Sequence, residues 1–374
     1  MIGLIAVTNG DVLAAVRGFL KNLLETRLVE ALYVPMQIDG GSVAPALVTD
    51  PARLDQADPL APVMSINGAR AVSAITGKKS PARLGVVLRS CEIRALYELV
   101  KLQQAALDDV TVISLDCPGT FELGDVTHHK DTIRLKLDEY LAAAQEGRAP
   151  AFDGLSLRPA CQMCAQPLPD HADIALHLFG VDVSMGIPVV MDDELAEKLS
   201  VSPVPEGLEA GRQQVVERLI EERLELRKKE LADVRSQLAS NGGMAELFAD
   251  CIRCHNCMTV CPICYCKTCL FKTAAFDHEP EHYLLAAHQK GATRMMGDTL
   301  LFQLTRLNHM SISCVSCGMC TSACPANIPV GAIFSAIGEQ VAAAFDYAAG
   351  RDLAETLPLV TFQANELTEV GEAR

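Results

Sequence analysis

The stretch from Cys251 to Cys269, CIRCHNCMTVCPICYCKTC, holds seven cysteines in nineteen residues. Its first part follows C-x-x-C-x-x-C-x-x-x-C-P through Cys251, Cys254, Cys257 and Cys261, and the pattern returns at Cys314, Cys317, Cys320 and Cys324. Two-residue gaps let three thiolates wrap one face of an iron–sulfur cube, while the fourth cysteine, before proline, reaches the other cube. The spacing therefore predicts one [4Fe–4S] cluster on Cys251, Cys254, Cys257 and Cys324, and a second on Cys314, Cys317, Cys320 and Cys261. Zinc also uses C-x-x-C pairs, but a four-ligand zinc site has no need of three consecutive knuckles in two identical copies.

The chain has fifteen cysteines, so these eight leave seven. Cys161 and Cys164, in CQMC, form a tight pair. Joined by two of Cys264, Cys266 and Cys269, they would make a third four-thiolate site; the alternative is that some of these are buried structural thiols. Cys91 and Cys117 each stand alone at the end of a predicted strand and read as core residues, with ligation as the alternative. His128, His129 and His309 read as ordinary surface or core histidines.

The elements that must position these thiols change character along the chain. Residues 1–204 read as an α/β (or α+β) domain. Short apolar or β-branched runs (LIAVT, ALYVP, LGVVLR, VTVISLD, IPVVMD) read as strands, and DVLAAVRGFLKNLLETRL and CEIRALYELVKLQQAAL carry helical spacing. Gly, Pro and Asp cluster between them, as in QIDGGSVAP. Residues 205–243 read as a long helical linker, with acidic and basic residues at helical spacing from Leu208 to Leu238 and a stop at Asn241-Gly242-Gly243. It is either a strut between domains or a plain surface helix. Residues 244–350 read as an α-helical dicluster ferredoxin-like domain. Its two cysteine runs are separated by helix with a glycine break, EHYLLAAHQKGATRMMGDTLLFQLTRLNHM. Residues 351–374 read as an acidic tail.

The totals narrow the function. The net charge of −15 argues against binding a nucleic-acid backbone. No run reaches ~18 uncharged apolar residues, and no signal peptide is legible at the N-terminus. A cytoplasmic protein with reduced thiols is expected, where clustered cysteines more often bind metal than pair. No G-x-G-x-x-G follows a strand. A phosphate-binding loop is sought instead in NGARAVSAITGKKS, with Asn67, Arg70, Lys78 and Lys79 as the candidate cofactor-binding residues. The competing reading of that stretch is an exposed basic turn.

Three blocks carry a family likeness. PICYCKTC after a ferredoxin run, RSCEIRALYELVKLQQAALDDVTVISLDCPGT, and CQMCAQPLPDHADIAL resemble the β subunits of coenzyme F420-dependent formate dehydrogenases and hydrogenases. The second cysteine run and the tail resemble a helical ferredoxin half, as in the iron–sulfur subunits of heterodisulfide-reductase-type complexes. The resemblance implies an FAD in the α/β domain that exchanges a hydride with F420 or NAD(P)H. It also implies [4Fe–4S] clusters that pass single electrons to or from a catalytic formate dehydrogenase or hydrogenase subunit. Two departures from that family, Asn9-Gly10 in place of a Gly-Gly turn and ADIALHLFG after the CQMC block, point to a second reading. In it the subunit is a flavin-free iron–sulfur relay linking a catalytic subunit to a heterodisulfide-reductase-like partner. A zinc-bearing structural protein is the third. No catalytic triad, paired acid–base motif or molybdenum-binding signature is legible.

Overall fold

The computed structural model describes residues 2–38, 42–77, 79–129, 136–152, 155–291 and 296–358. Lys78 and all but the first eight residues of the 351–374 tail lie outside the described residues.

One mixed sheet organises the first half. Its eight strands are β1 (Ile2–Ile5), β2 (Ala31–Gln37), β3 (Val43–Val48), β4 (Leu84–Val87), β5 (Val110–Leu115), β6 (Ile174–Leu176), β7 (Ile187–Val190) and β8 (Ser202–Pro203), in the order β3-β2-β4-β5-β6-β7-β1-β8. The middle strands β2, β4, β5 and β6 run parallel. The outer pairs are antiparallel. All five strands expected from apolar runs are present. The strand β3 was hidden because Pro45 and the preceding glycines read as a turn, but an edge strand tolerates proline. The strand β6 is three residues long and β8 two, too short for a periodic signal.

Helices cover both faces. The helix α1 (Val12–Glu25) starts at Asp11, whose carboxylate accepts from Ala14 N at 2.9 Å, and it buries Val16, Leu20 and Leu23. The helices α2 (Gly68–Thr76) and α3 (Ser90–Lys101) lie against the other face, and the single turn α4 (Pro159–Gln162) precedes β6.

Alternation along the strands separates two cores. Leu32, Val34, Ile113 and Leu115 join α1 in one core. Ala31, Tyr33, Val86 and Val112 face the second core, and this one does not end at the α/β half. It continues through Leu231, Phe248, Cys257, Met258, Ile263, Phe302, Leu307 and Phe334 of the cysteine-rich half. The boundary expected near residue 243 therefore crosses one continuous core.

The long helix α5 (Arg212–Leu238) has 27 residues, so it spans about 40 Å. Leu219 inserts in the first core and Leu231 in the second, and most other positions face solvent. It therefore contributes buried positions to both cores. Arg227 Nε and Arg235 Nη2 both reach Glu339, each at 2.6 Å. The cysteine-rich half adds α6 (Asn256–Thr259), α7 (Pro280–Lys290), α8 (Thr299–Met310), α9 (Met319–Ser322) and α10 (Val330–Ala344). Gly291, in the left-handed conformation at φ 70°, ends α7 where the glycine break was expected. The chain then returns to α3. Tyr347 Oη and Gly350 N donate to the buried Glu98 Oε1 at 2.6 and 2.8 Å.

Candidate metal centres

The two ferredoxin-type runs repeat a local shape. The residues flanking the second cysteine of each run have positive φ: Arg253 (54°) and His255 (60°) in the first, Ser316 (57°) and Gly318 (72°) in the second. Left-handed residues bend the chain back around a centre, and each non-glycine one is strained by about 1–2 kcal/mol. The short turns α6 and α9 follow. This is the wrapping that two-residue cysteine gaps require.

The crossing of the fourth cysteines is visible in the neighbours. The charges acting on Cys257, besides Arg306, are Cys251, Cys254 and Cys324. Those acting on Cys320 are Cys317, Cys261 and Cys314. A cavity is lined by Cys261, Cys314, Cys317 and Cys320, with Pro262, Arg306 and Phe334. Burial raises four of these free thiols: Cys257 and Cys314 are raised, Cys317 is pushed up to about 12, and Cys320 lies well above its ordinary range. Buried thiols of this kind become good ligands only when a cation takes the proton's place. Among the described residues no three Cys, His, Asp or Glu side chains converge tightly enough to hold a single metal ion.

The third group differs from its expected composition. Cys161 and Cys164 do line a cavity, but its other thiols are Cys91, Cys117 and, from the second ferredoxin-type run, Cys317, not Cys264, Cys266 or Cys269. The reason is the parallel sheet. Strands β4 and β5 are neighbours, and the residues just past their carboxyl ends include Cys91, at the start of α3, and Cys117. Ligand sites of open α/β sheets gather at such carboxyl ends. The CQMC loop is fastened there by Cys117 N donating to Pro167 O at 2.9 Å and Ser90 Oγ to Gln166 O at 2.6 Å. Cys91 and Cys117, read from the sequence as core with ligation as the alternative, both stand in the wall of this cavity. Cys264 is instead acted on by Cys261, Cys266 and Cys269, and Cys269 Sγ lies 3.7 Å from Met258 Sδ.

Three buried arginines ring this group. Arg89 Nη1 lies 3.5 Å from Cys117 Sγ, and Arg158 Nη2 lies 3.5 Å from Cys161 Sγ. Arg223 Nη2 donates to Pro118 O at 2.7 Å. They are 8%, 3% and 5% exposed, so their charges are desolvated and call for an anion. Burial pushes Cys91 and Cys117 up, but at Cys161 the Arg158 charge and hydrogen bonds with Thr120 outweigh burial and lower the thiol. Four thiolates around an iron–sulfur cube supply negative charge of that kind.

Adjacent centres touch. Cys317 lies in the walls of both its own cavity and the Cys91/Cys117/Cys161/Cys164 cavity. Arg158 Nη1 reaches Met319 Sδ at 3.2 Å. A Cβ placed on Gly318 would sit 2.3 Å from Ala160 Cβ, so the Gly318 backbone packs directly on the Ala160 methyl where the two halves meet. A separate cavity of about 400 Å³ lies along the same seam, lined by Arg94, Cys164, Arg227, Cys314, Glu339 and Tyr347 among others.

The expected phosphate loop is not a loop. Asn67 caps α2 by accepting from Ala69 N at 3.1 Å, and Arg70 donates to Thr259 O in the cysteine-rich half. Lys79 is exposed. The two cations are spent on packing or left in solvent, because the stretch has a good helix cap and helical apolar spacing. The segment after ADI is also tied down. His177 Nδ1 pairs with Glu209 Oε1 at 2.5 Å, and the buried Asp116 accepts from Leu178 N at 2.7 Å, Phe179 N at 2.9 Å and the Arg212 guanidinium. His128 and His129 are exposed on the sheet half, and His309 is exposed on α8.

Residues 247–328 match the family described as 4Fe-4S dicluster domain. The chain is 26% identical to the F420-dependent formate dehydrogenase subunit beta of Methanocaldococcus jannaschii over 297 residues, 72% of this chain and 74% of that one. It is 26% identical to the F420-dependent formate dehydrogenase 1 subunit beta of Methanococcus maripaludis over 379 residues, 92% of each. Among solved structures, a chain of the F420-reducing [NiFe] hydrogenase complex from Methanosarcina barkeri aligns with a TM-score of 0.44 at 13% identity, covering 62% of this chain and 92% of that one. The likeness to formate dehydrogenase β subunits carried by the three sequence blocks is borne out by these relatives, and so is a C-terminal dicluster domain. Among the described residues, no helix is long and apolar enough to cross a membrane.

Proposed function

We propose that this chain, a relative of the F420-dependent formate dehydrogenase β subunits, is an iron–sulfur electron-transfer subunit with three [4Fe–4S] clusters in a row. The first is held by Cys251, Cys254, Cys257 and Cys324, the second by Cys261, Cys314, Cys317 and Cys320, and the third by Cys91, Cys117, Cys161 and Cys164. The observation that carries this reading is Cys317, which stands in the walls of two thiol-lined cavities at once. Electrons passing between the second and third clusters then cross a seam of packed protein rather than solvent. The exposed end of the row is at Cys254. A catalytic subunit of formate dehydrogenase or hydrogenase type is the partner that such a relay serves, in the cytoplasm.

A second reading keeps a flavin, on one observation. The cavity of about 400 Å³ touches Cys164 of one group and Cys314 of another. Its size is within the range of small-molecule sites, and Arg94 Nε, in its wall, is buried without a partner. A flavin bound there would supply the step between two-electron hydride exchange with F420 or NAD(P)H and single-electron transfer. Arg94 and Arg227 would hold its anionic or carbonyl groups.

Anaerobic reconstitution of the purified chain tests both readings on one sample. About twelve irons per chain are expected for three cubes, against about eight for two. Bound FAD with rapid reduction by F420H2 or NADH selects the flavin reading. Full iron without flavin selects the plain relay. A colourless, iron-free, zinc-containing protein would end both.

A further inference from the structure

Arg306 is a buried cation with no counter-ion. It is 4% exposed. Among the described residues it forms no ion pair; its guanidinium donates instead to Cys257 Sγ from Nη1 and to Cys257 O from Nη2, both at 3.1 Å. Gln303 Oε1 accepts from Nη1 at 3.2 Å, and Nε has no partner. The rings of Phe334 and Phe302 stand 4.7 and 5.6 Å away. Arg306 also lines the cavity walled by Cys261, Cys314, Cys317 and Cys320. One guanidinium therefore borders both ferredoxin-type centres.

A lone buried charge is strongly unfavourable unless something offsets it, and aromatic faces offset only part. What the site lacks is negative charge, which thiolate-ligated clusters on either side would provide. We propose that Arg306 is a positioning residue shared by the two ferredoxin-type clusters, raising both reduction potentials together and so keeping them matched. The inference rests on the cluster assignment above. Each cluster takes up one electron without a bond or proton changing hands, so its negative charge grows by one on reduction. A fixed cation and an N–H donated to a ligand sulfur both favour the reduced form. Because the guanidinium is buried, salt screens this effect far less than it screens a surface charge.

Potentiometric titration of the full chain, followed by electron paramagnetic resonance with iron counted on the same sample, tests the proposal. In Arg306→Gln both ferredoxin-type midpoints should fall by at least a tenfold change in the reduced-to-oxidised ratio, about 59 mV for a one-electron couple. The third cluster should keep its midpoint. Arg306→Lys retains the charge and should recover most of the shift. Gln303→Glu puts a carboxylate beside the guanidinium and also removes the Gln303 Nε2 donor 3.7 Å from Cys251 Sγ, so it lowers the first midpoint directly, and the fall at the second midpoint is what reads Arg306; it serves as the test if Arg306→Gln does not fold. Iron-replete Arg306→Gln or Gln303→Glu with unmoved midpoints, or with only one moved, overturns the sharing. A wild-type chain without the two ferredoxin-type signals overturns the cluster assignment itself, and the Arg306 inference with it.

Discussion

The ferredoxin-type centres and the centre at the sheet end are built by opposite means. The former take three ligands from seven residues of chain, bent by left-handed residues, and leave Cys254 exposed. The latter collects Cys91, Cys117 and the Cys161–Cys164 pair from loops after separate elements, and surrounds them with three buried arginines. One is a local motif with a single exposed cysteine; the other is a product of tertiary structure in a positively charged pocket. The difference teaches which centre tolerates change around it. A local wrap depends on its own backbone, whereas the sheet-end centre depends on every strand that aligns its loops.

The comparison can be broken most directly at a ligand. Cys161→Ser should remove the third cluster alone, dropping iron from about twelve to about eight per chain and leaving both ferredoxin-type signals in place. If all three signals vanish, the centres are not independent units. The next largest effect tests the shared core. Leu231 is fully buried on the long helix and packs in the core that runs through both halves. Leu231→Ala should cost about 2–5 kcal/mol, and chemical unfolding should still show one transition rather than two. Two separate transitions would mean that the halves fold apart.

The seam gives a smaller effect. Gly318 has φ 72°, and an added methyl would meet Ala160. Gly318→Ala should destabilise by about 1–3 kcal/mol and slow electron exchange between the second and third clusters, read by stopped-flow reduction. Unchanged exchange would remove this contact from the path. The smallest effect is expected at Glu339, 40% exposed at its side chain although two arginines reach it. Glu339→Gln should change stability by less than about 1 kcal/mol, since exposed ion pairs contribute little; a loss several times larger in a thermal melt would mark it as part of the cavity chemistry.

The same contrast explains what could be read from the sequence. The eight ferredoxin-type cysteines announce themselves because their spacing is the geometry. Five strands and the main helices are legible from periodicity. Cys91 and Cys117 are not, because their partners lie about seventy residues downstream for the first and about forty-five for the second; only parallel strand order brings them together. The signal that could have found them is that both follow strands, at the carboxyl ends where a parallel sheet presents ligands. Asn67 to Lys79 misled for the opposite reason. Small residues and cations suggest a phosphate loop, yet Asn67 is also a good helix cap, and the cap prevailed.

The return of the chain to α3 has a consequence for how the molecule is made. Glu98 is buried and its Oε1 accepts from Tyr347 and Gly350, while Cys91 sits at the start of the same helix. During synthesis, at roughly 5–20 residues per second, the helix and its thiols leave the ribosome long before their last fastening does. For that interval the seam stays ajar, with the iron-binding pocket reachable by whatever delivers metal and sulfide. Closure by residues 347–350, followed by Glu355 reaching Lys101 of the same helix at 3.9 Å, then acts as a late stitch. A chain stopped before Tyr347 should take up iron faster and surrender it faster to a chelator than the full chain, and equal rates for the two would show that the stitch holds nothing in.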